Sequence, residues 1–260
     1  MQPILKGVAA DEEAFADLAS RYGAPSAASG AGNGLPFKWA LVCLAVLVAA
    51  ILGGPLLYFH VIESPTPGLL RLPRASGVAS GPLAPGPLSG LWKVAAGSQA
   101  GYRVGEVLLG QHHTAVGRTS AVSGGIELSG ATVTAADFTV DLASLKSDVV
   151  SRDAQFHGYI MKTYDYPDAR FHLTVPIALG VLPATGAAVS SPATGELSMR
   201  GVTRTVSFSV DAERLPGEID INAEIPVTFA RWHIPDPSFA VAQVDPTGTI
   251  EVLLHLEPAR

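Results

Sequence analysis

Charge, cysteine and any surplus of basic residues are scarce in this sequence, and each scarcity closes a route. Only 15% of its 260 residues are Asp, Glu, Lys or Arg, against 48% hydrophobic, and the mean hydropathy is +0.32. Lys and Arg number 17 against 23 Asp and Glu, a net charge of −6. Nucleic-acid phosphates need a basic surface, so no nucleic-acid partner is expected. The single cysteine, Cys43, excludes an intrachain disulfide and any cysteine-based metal cluster. No G-x-S-x-G elbow, P-loop or dinucleotide fingerprint is present. His112, His113, His157, His172, His233 and His255 are scattered, without HExxH spacing or a His–Cys ligand set. In an extended chain His112 and His113 point to opposite faces and chelate poorly. The expectation is no catalytic residue, no metal and no cofactor, and these patterns give an enzyme no positive support.

What is present falls into segments of different chemistry. Residues 1–36 are rich in Ala, Gly and Ser with acids at Asp11, Glu12, Glu13 and Asp17. Phe15, Leu18 and Tyr22 have helix-like spacing, but the composition reads as a disordered tail. Residues 37–62 hold an uncharged run, Trp39 to Phe59. At ~1.5 Å per residue it reaches about 30 Å, the thickness of a hydrocarbon core. Trp39 and Tyr58 stand where interface aromatics stand, with Lys38 and His60 just outside. A cleavable signal peptide has a shorter apolar core and a shorter leader, so a retained transmembrane helix is expected. Cys43 lies near the start of the run, where it cannot be a lipoprotein attachment site. Charges flanking the span do not decide its orientation. Residues 63–90 are crowded with Pro and Gly, which predicts a semi-extended linker without helix or strand.

From Leu91 to Arg260 the pattern has period two. Phe138, Val140 and Leu142 alternate with polar residues, as do Phe171, Leu173 and Val175, and Val206, Phe208 and Val210. Ile219–Ile225 and Ile250–Leu256 repeat the alternation. Such segments are strands with one buried face. Turns are expected at Ser123-Gly124-Gly125, Pro183–Gly186, Arg200-Gly201 and Leu215-Pro216-Gly217. Short turns mean antiparallel pairing, in a sandwich or a barrel. One interruption reads as a short helix capped at Ser147-Asp148, running through Arg152, Asp153, Phe156 and Ile160, and stopped by Tyr166-Pro167. Arg152 and Asp153 are expected to make a structural ion-pair or capping contact.

Several stretches resemble the YceI-like family. They are Gly90-Leu91-Trp92-Lys93-Val94, Gly101-Tyr102-Arg103-Val104, Val116-Gly117-Arg118-Thr119 and above all Phe138 to Asp148 with Arg152-Asp153. Tyr166-Pro167, Phe171, Gly195-Glu196-Leu197 and Gly201-Val202-Thr203 continue the match in the same order, across nearly all of 90–257. The resemblance implies a mostly β fold, an antiparallel lipocalin-like β-barrel with one short helical insertion, here preceded by a single transmembrane helix. It also implies a tunnel holding a polyisoprenoid, isoprenoid quinone or similar amphiphilic lipid. The domain would then be extracytoplasmic and the N-terminus cytoplasmic. Phe138, Phe171, Phe208, Phe229 and Trp232 are the tunnel candidates, and Phe156 and Tyr159 could cover an opening. Any one of them is also what an ordinary core needs in order to fold. Three readings of different class follow: a membrane-anchored lipid binder, an envelope stress or interaction module without a small ligand, and an enzyme acting on a lipid. The first is favoured. A homo-oligomer is compatible with all three.

Overall fold

The computed structural model describes residues 42, 44–48, 66–72, 88–180, 188–239 and 242–259. Its contacts divide the chain into Met1–Ile62 and Glu63–Arg260. In the first unit, residues 42 and 44–48 are helical, and Val42, Leu44, Val46, Leu47 and Val48 are exposed. The rest of the expected span Trp39–Phe59 lies outside the described residues, as does the tail before it. Among the described residues no helix is long and apolar enough to cross a membrane.

The described residues of the second unit form thirteen strands. They are β1 (Gly90–Val94), β2 (Gln99–Leu108), β3 (Gln111–Thr119), β4 (Val122–Ser129), β5 (Thr132–Asp141), β6 (Lys146–Ser147), β7 (Asp168–Val175), β8 (Ile177–Ala178), β9 (Val189–Met199), β10 (Val202–Leu215), β11 (Glu218–Thr228), β12 (Ala242–Val244) and β13 (Thr247–Pro258). Neighbours pair antiparallel in the order β1-β4-β5-β7-β9-β10-β11-β13, and β13 pairs back onto β1 through Val94 and Leu256. This is a closed eight-stranded barrel. Closure removes the free strand edges that would otherwise invite aggregation. β13 lends the other part of the same edge to β2, with Ile250 opposite Tyr102. The wall thus bends where β1 passes into β2 and where β3 passes into β4. At that bend the Ala95 amide donates to the His255 carbonyl at 2.8 Å, and the His255 amide donates to Ser98 Oγ at 3.0 Å.

Two expected local features resolve differently. Ser123-Gly124-Gly125 is not a turn but lies inside β4. Gly124 has φ +118°, and a Cβ there would run into the Asp137 carbonyl of β5. A Cβ on Gly125 would meet the Trp92 carbonyl of β1. The glycines permit close strand approach rather than chain reversal. The helical insertion, α1 (Val150–Gln155), has Val149 as its N-cap, without a side-chain cap. Ser147 is drawn into β6, and its hydroxyl and amide both donate to Asp153 Oδ1, at 2.7 and 2.8 Å. Arg152 pairs with Asp148 at 2.6 Å and Glu106 at 3.0 Å, so both residues are structural. A π-helical turn, Phe156–Ile160, follows and ends well before Tyr166-Pro167. There Arg200 Nε donates to the Ile160 carbonyl at 2.7 Å, satisfying a helix-end acceptor. Arg200-Gly201 forms the expected hairpin turn, with φ +51° and +73°, and Leu215-Pro216-Gly217 links β10 to β11. Pro183–Gly186 lies outside the described residues.

Part of the expected linker is not free. Residues 66–72 lie as a strap against the outer wall, with Leu70 buried. Asn222 Nδ2 donates to the Leu70 carbonyl at 2.9 Å, and Arg103 Nη2 to the Pro67 carbonyl at 2.8 Å. Arg118 donates to the Gly68 carbonyl. Both arginines also hold Glu251, which is 1% exposed, at 2.5 and 3.1 Å. Arg103, Arg118, Asn222 and Glu251, on the outside of β2, β3, β11 and β13, are thereby covered and paired.

Two outcomes follow. Gly124→Ala is expected to destabilise the barrel by at least about 2 kcal/mol in denaturant unfolding, whereas Gly158→Ala, with open space around its Cβ, stays within about 0.5 kcal/mol. Leu70→Ala removes roughly 2 kcal/mol of apolar burial. It should speed tryptic cleavage after Arg71 by at least about tenfold, and an unchanged cleavage rate would mean that the strap is not docked.

Candidate functional site

Alternation within each strand decides what faces inward. Ile250, Val252 and Leu254 of β13, Ile219, Ile221, Ala223 and Ile225 of β11, and Phe208, Val210 and Ala212 of β10 line an internal cavity. Small residues at Ala136, Ala169, Ala193, Ala212 and Ala223 leave the space that larger side chains would fill. Its volume is about 120 Å³. The wall is apolar throughout, apart from Arg170, whose guanidinium is exposed and paired with Asp168 at 3.0 Å. Among the described residues no polar group is aimed inward to hold water, and such a wall suits a hydrocarbon.

Phe138, Phe171 and Phe208 line this cavity. Phe171 and Phe208 meet edge to face at 5.5 Å, and both touch the two buried clusters that make up the barrel core. They stand at the junction between the cavity and the second cluster. Trp232 and Phe156 are buried in that second cluster, with Phe229 packed against it, and none of the three lines the cavity. Phe156 stacks on Tyr102 at 5.2 Å. Burial pushes the Tyr102 hydroxyl up to about 12, against the pull of Arg152, so it stays neutral. Trp232 is fully buried, and its indole N–H has no partner among the described residues. Tyr159 is 61% exposed and contributes nothing to the cavity wall.

A second group lies on the outside of the same wall. His255 of β13 stands opposite Asp220 of β11 in register, and Asp220 stands opposite Glu213 of β10. His255 Nδ1 is 2.7 Å from Asp220 Oδ1 and 3.0 Å from Glu218 Oε1. Burial, then the charge of Asp220, holds the Glu213 and Glu218 carboxyls above the usual carboxylate range, with His255 partly countering at Glu218. Glu218-x-Asp220 places two carboxylates on one strand face, a weak signal by itself. Only the β11–β13 register adds His255, and period-two reading does not supply register.

A family model described as "YceI-like domain" matches residues 92–256. No curated protein matches the chain. A polyisoprenoid-binding domain from Saccharophagus degradans, described as implicated in plant cell wall breakdown, is similar in structure, with a TM-score of 0.53 and 18% identity. That match covers 66% of this chain and 99% of that one. BcnA from Burkholderia cenocepacia gives 0.46 at 19% identity, over 59% and 95% of the two chains. A Campylobacter jejuni YceI protein gives 0.41 at 16%, over 54% and 83%.

Because Glu213 and Glu218 take up protons more readily in the folded barrel than in the unfolded chain, their contribution to stability grows as pH falls from neutral toward the ordinary glutamate range. In EDTA, Glu213→Gln should therefore melt about 2–4 °C above the unmodified protein at neutral pH. The difference should shrink as pH is lowered toward 5; a difference that widened on acidification would contradict the assignment.

Proposed function

The chain belongs to the YceI-like domain family, and from that premise we propose that its barrel binds the hydrocarbon chain of an amphiphilic lipid, a polyisoprenoid or isoprenoid quinone being the best fit. The observation that carries this reading is the cavity inside the barrel, with its apolar wall. The Saccharophagus degradans domain, which shares the fold, is described as polyisoprenoid-binding, and the same ligand class suits this interior. Binding rather than turnover is the reading, because no nucleophile or acid–base pair faces the cavity among the described residues.

The cavity is slightly smaller than the ~150 Å³ apolar cavity that admits one benzene ring. It takes a short piece of chain as it stands. A longer prenyl chain requires Phe171 and Phe208 to swing out of the junction they occupy, toward the second cluster. Each methylene leaving water gains about 0.8 kcal/mol, but a bilayer offers nearly the same environment. The net preference over membrane is therefore small, which is what a protein that must release its guest requires.

The tether completes the proposal. The uncharged run Trp39–Phe59 is long enough to span a bilayer, and its described residues are helical with exposed apolar side chains. In this reading the N-terminus is cytoplasmic and the barrel extracytoplasmic, close to the membrane from which it draws lipid.

Organic extraction of the purified full-length protein followed by mass spectrometry tests the assignment. A lipid with a prenyl chain is expected to co-purify. Ala136→Phe, which fills the cavity, should lower its occupancy at least about tenfold, and Phe208→Ala should admit longer chains. Repeated preparations free of lipid, with Phe208→Ala equally empty, would sink the proposal.

A further inference from the structure

Three donor groups on the outer wall, His255 Nδ1 and one carboxylate oxygen each from Glu218 and Asp220, lie within 4.8 Å of one another. Asp220 is fully buried, while the side chains of His255 and Glu218 are 19% and 35% exposed. The group therefore has a buried floor and a solvent-facing rim. Its charge is not balanced from within. One imidazole, even protonated, offsets a single carboxylate, and both Glu218 and Asp220 meet it here.

A further observation points to a missing ligand. Among the described residues, Glu213, 3% exposed and opposite Asp220 in the β10–β11 register, has no hydrogen-bond partner for its Oε1. Asp220 Oδ2, equally buried, has none among them either. Carboxylate oxygens are among the costliest groups to leave dry without a donor. A cation held by Glu218, Asp220 and His255 would satisfy both their charge and the orphaned Asp220 oxygen.

We propose that Glu218, Asp220 and His255 bind a divalent transition-metal ion, with Zn²⁺ the preferred occupant and Glu213 adding charge beside it. One imidazole nitrogen with two carboxylates suits Zn²⁺ or Mn²⁺; it is too hard a set for Cu(I), and Ca²⁺ prefers an all-oxygen shell. Ligand atoms held about 2.0–2.2 Å from zinc sit a few ångströms apart, so small rotations of the three side chains bring them onto one ion. Three protein ligands leave a coordination position at the exposed rim for water. The ion would tie β11 to β13 beside the seam where β13 meets β1, where the backbone of His255 is already held by Ala95 and Ser98. It would thus staple the closure of the barrel, independently of what the cavity holds.

The test uses the full-length protein in detergent, stripped with EDTA and titrated calorimetrically with Zn²⁺ and, separately, Mn²⁺. One ion per chain is expected, together with a raised melting temperature. His255→Ala and Glu218→Gln should each weaken binding by at least about tenfold, and Glu213→Gln by about tenfold or less. His172→Ala, which removes an exposed histidine paired with Asp137, should leave it unchanged. Glu218 is partly exposed at the start of its strand, so its variant keeps the test open if His255→Ala fails to fold. No saturable binding of either ion, or binding of full strength in Glu218→Gln, overturns the site.

Discussion

Strand β13 divides one edge between two partners, giving Thr249 to Leu253 to β2 and Leu256 to Pro258 to β1. An eight-stranded wall closes only because of this division, and closure is what excludes water from the interior. The bend it demands between β1 and β2 is held by backbone hydrogen bonds to His255. The matching bend between β3 and β4 runs into Gly124 and Gly125, where a neighbouring carbonyl occupies the space of each missing Cβ. Once the wall is shut, strict alternation sends every second side chain into a dry centre, and the apolar cavity follows without any dedicated pocket-forming element.

The interior is neither an open pipe nor a filled core. Its alanines create space, while Phe171 and Phe208 occupy the passage between the two buried clusters. In the proposed lipid-binding reading, a packed interior resists volume change, so accommodation of a long chain would fall to side chains that can rotate without opening the strand ladder. Aromatic rings in edge contact meet that requirement, since each loses one neighbour and gains the guest. In that reading selectivity for chain length would depend on how far those rings move, since among the described residues no polar group is aimed inward.

Much of this was legible in the sequence. Phe138, Phe171 and Phe208 sit on alternating strands, where period two alone dictates their facing, and all three line the cavity. Phe229 and Trp232 belong to a 3₁₀ turn after β11, and Phe156 and Tyr159 to a π-helical turn. Those backbones follow neither strand nor α-helical periodicity, so facing could not be read, and none of the four reaches the cavity wall. Ser123-Gly124-Gly125 looked like a turn because glycine marks both reversals and close approaches, which only the neighbouring strand distinguishes. The grouping of Glu218, Asp220 and His255 depends on pairing register between segments far apart in the chain. Register is a tertiary property.

The strap over Arg103, Arg118, Asn222 and Glu251 lies upstream of the matched family region, which begins at residue 92. Trimming a recombinant barrel to that homologous segment would amputate it. Two guanidinium groups and an amide would then lose their carbonyl acceptors to bulk water, and the shielded Glu251 carboxylate would lose its cover. The footprint vacated by Leu70 would become a sticky apolar scar on an otherwise polar wall. A unit for crystallisation or calorimetry that keeps these contacts starts at or before Thr66, because residues 66–72 are a piece of the barrel's exterior.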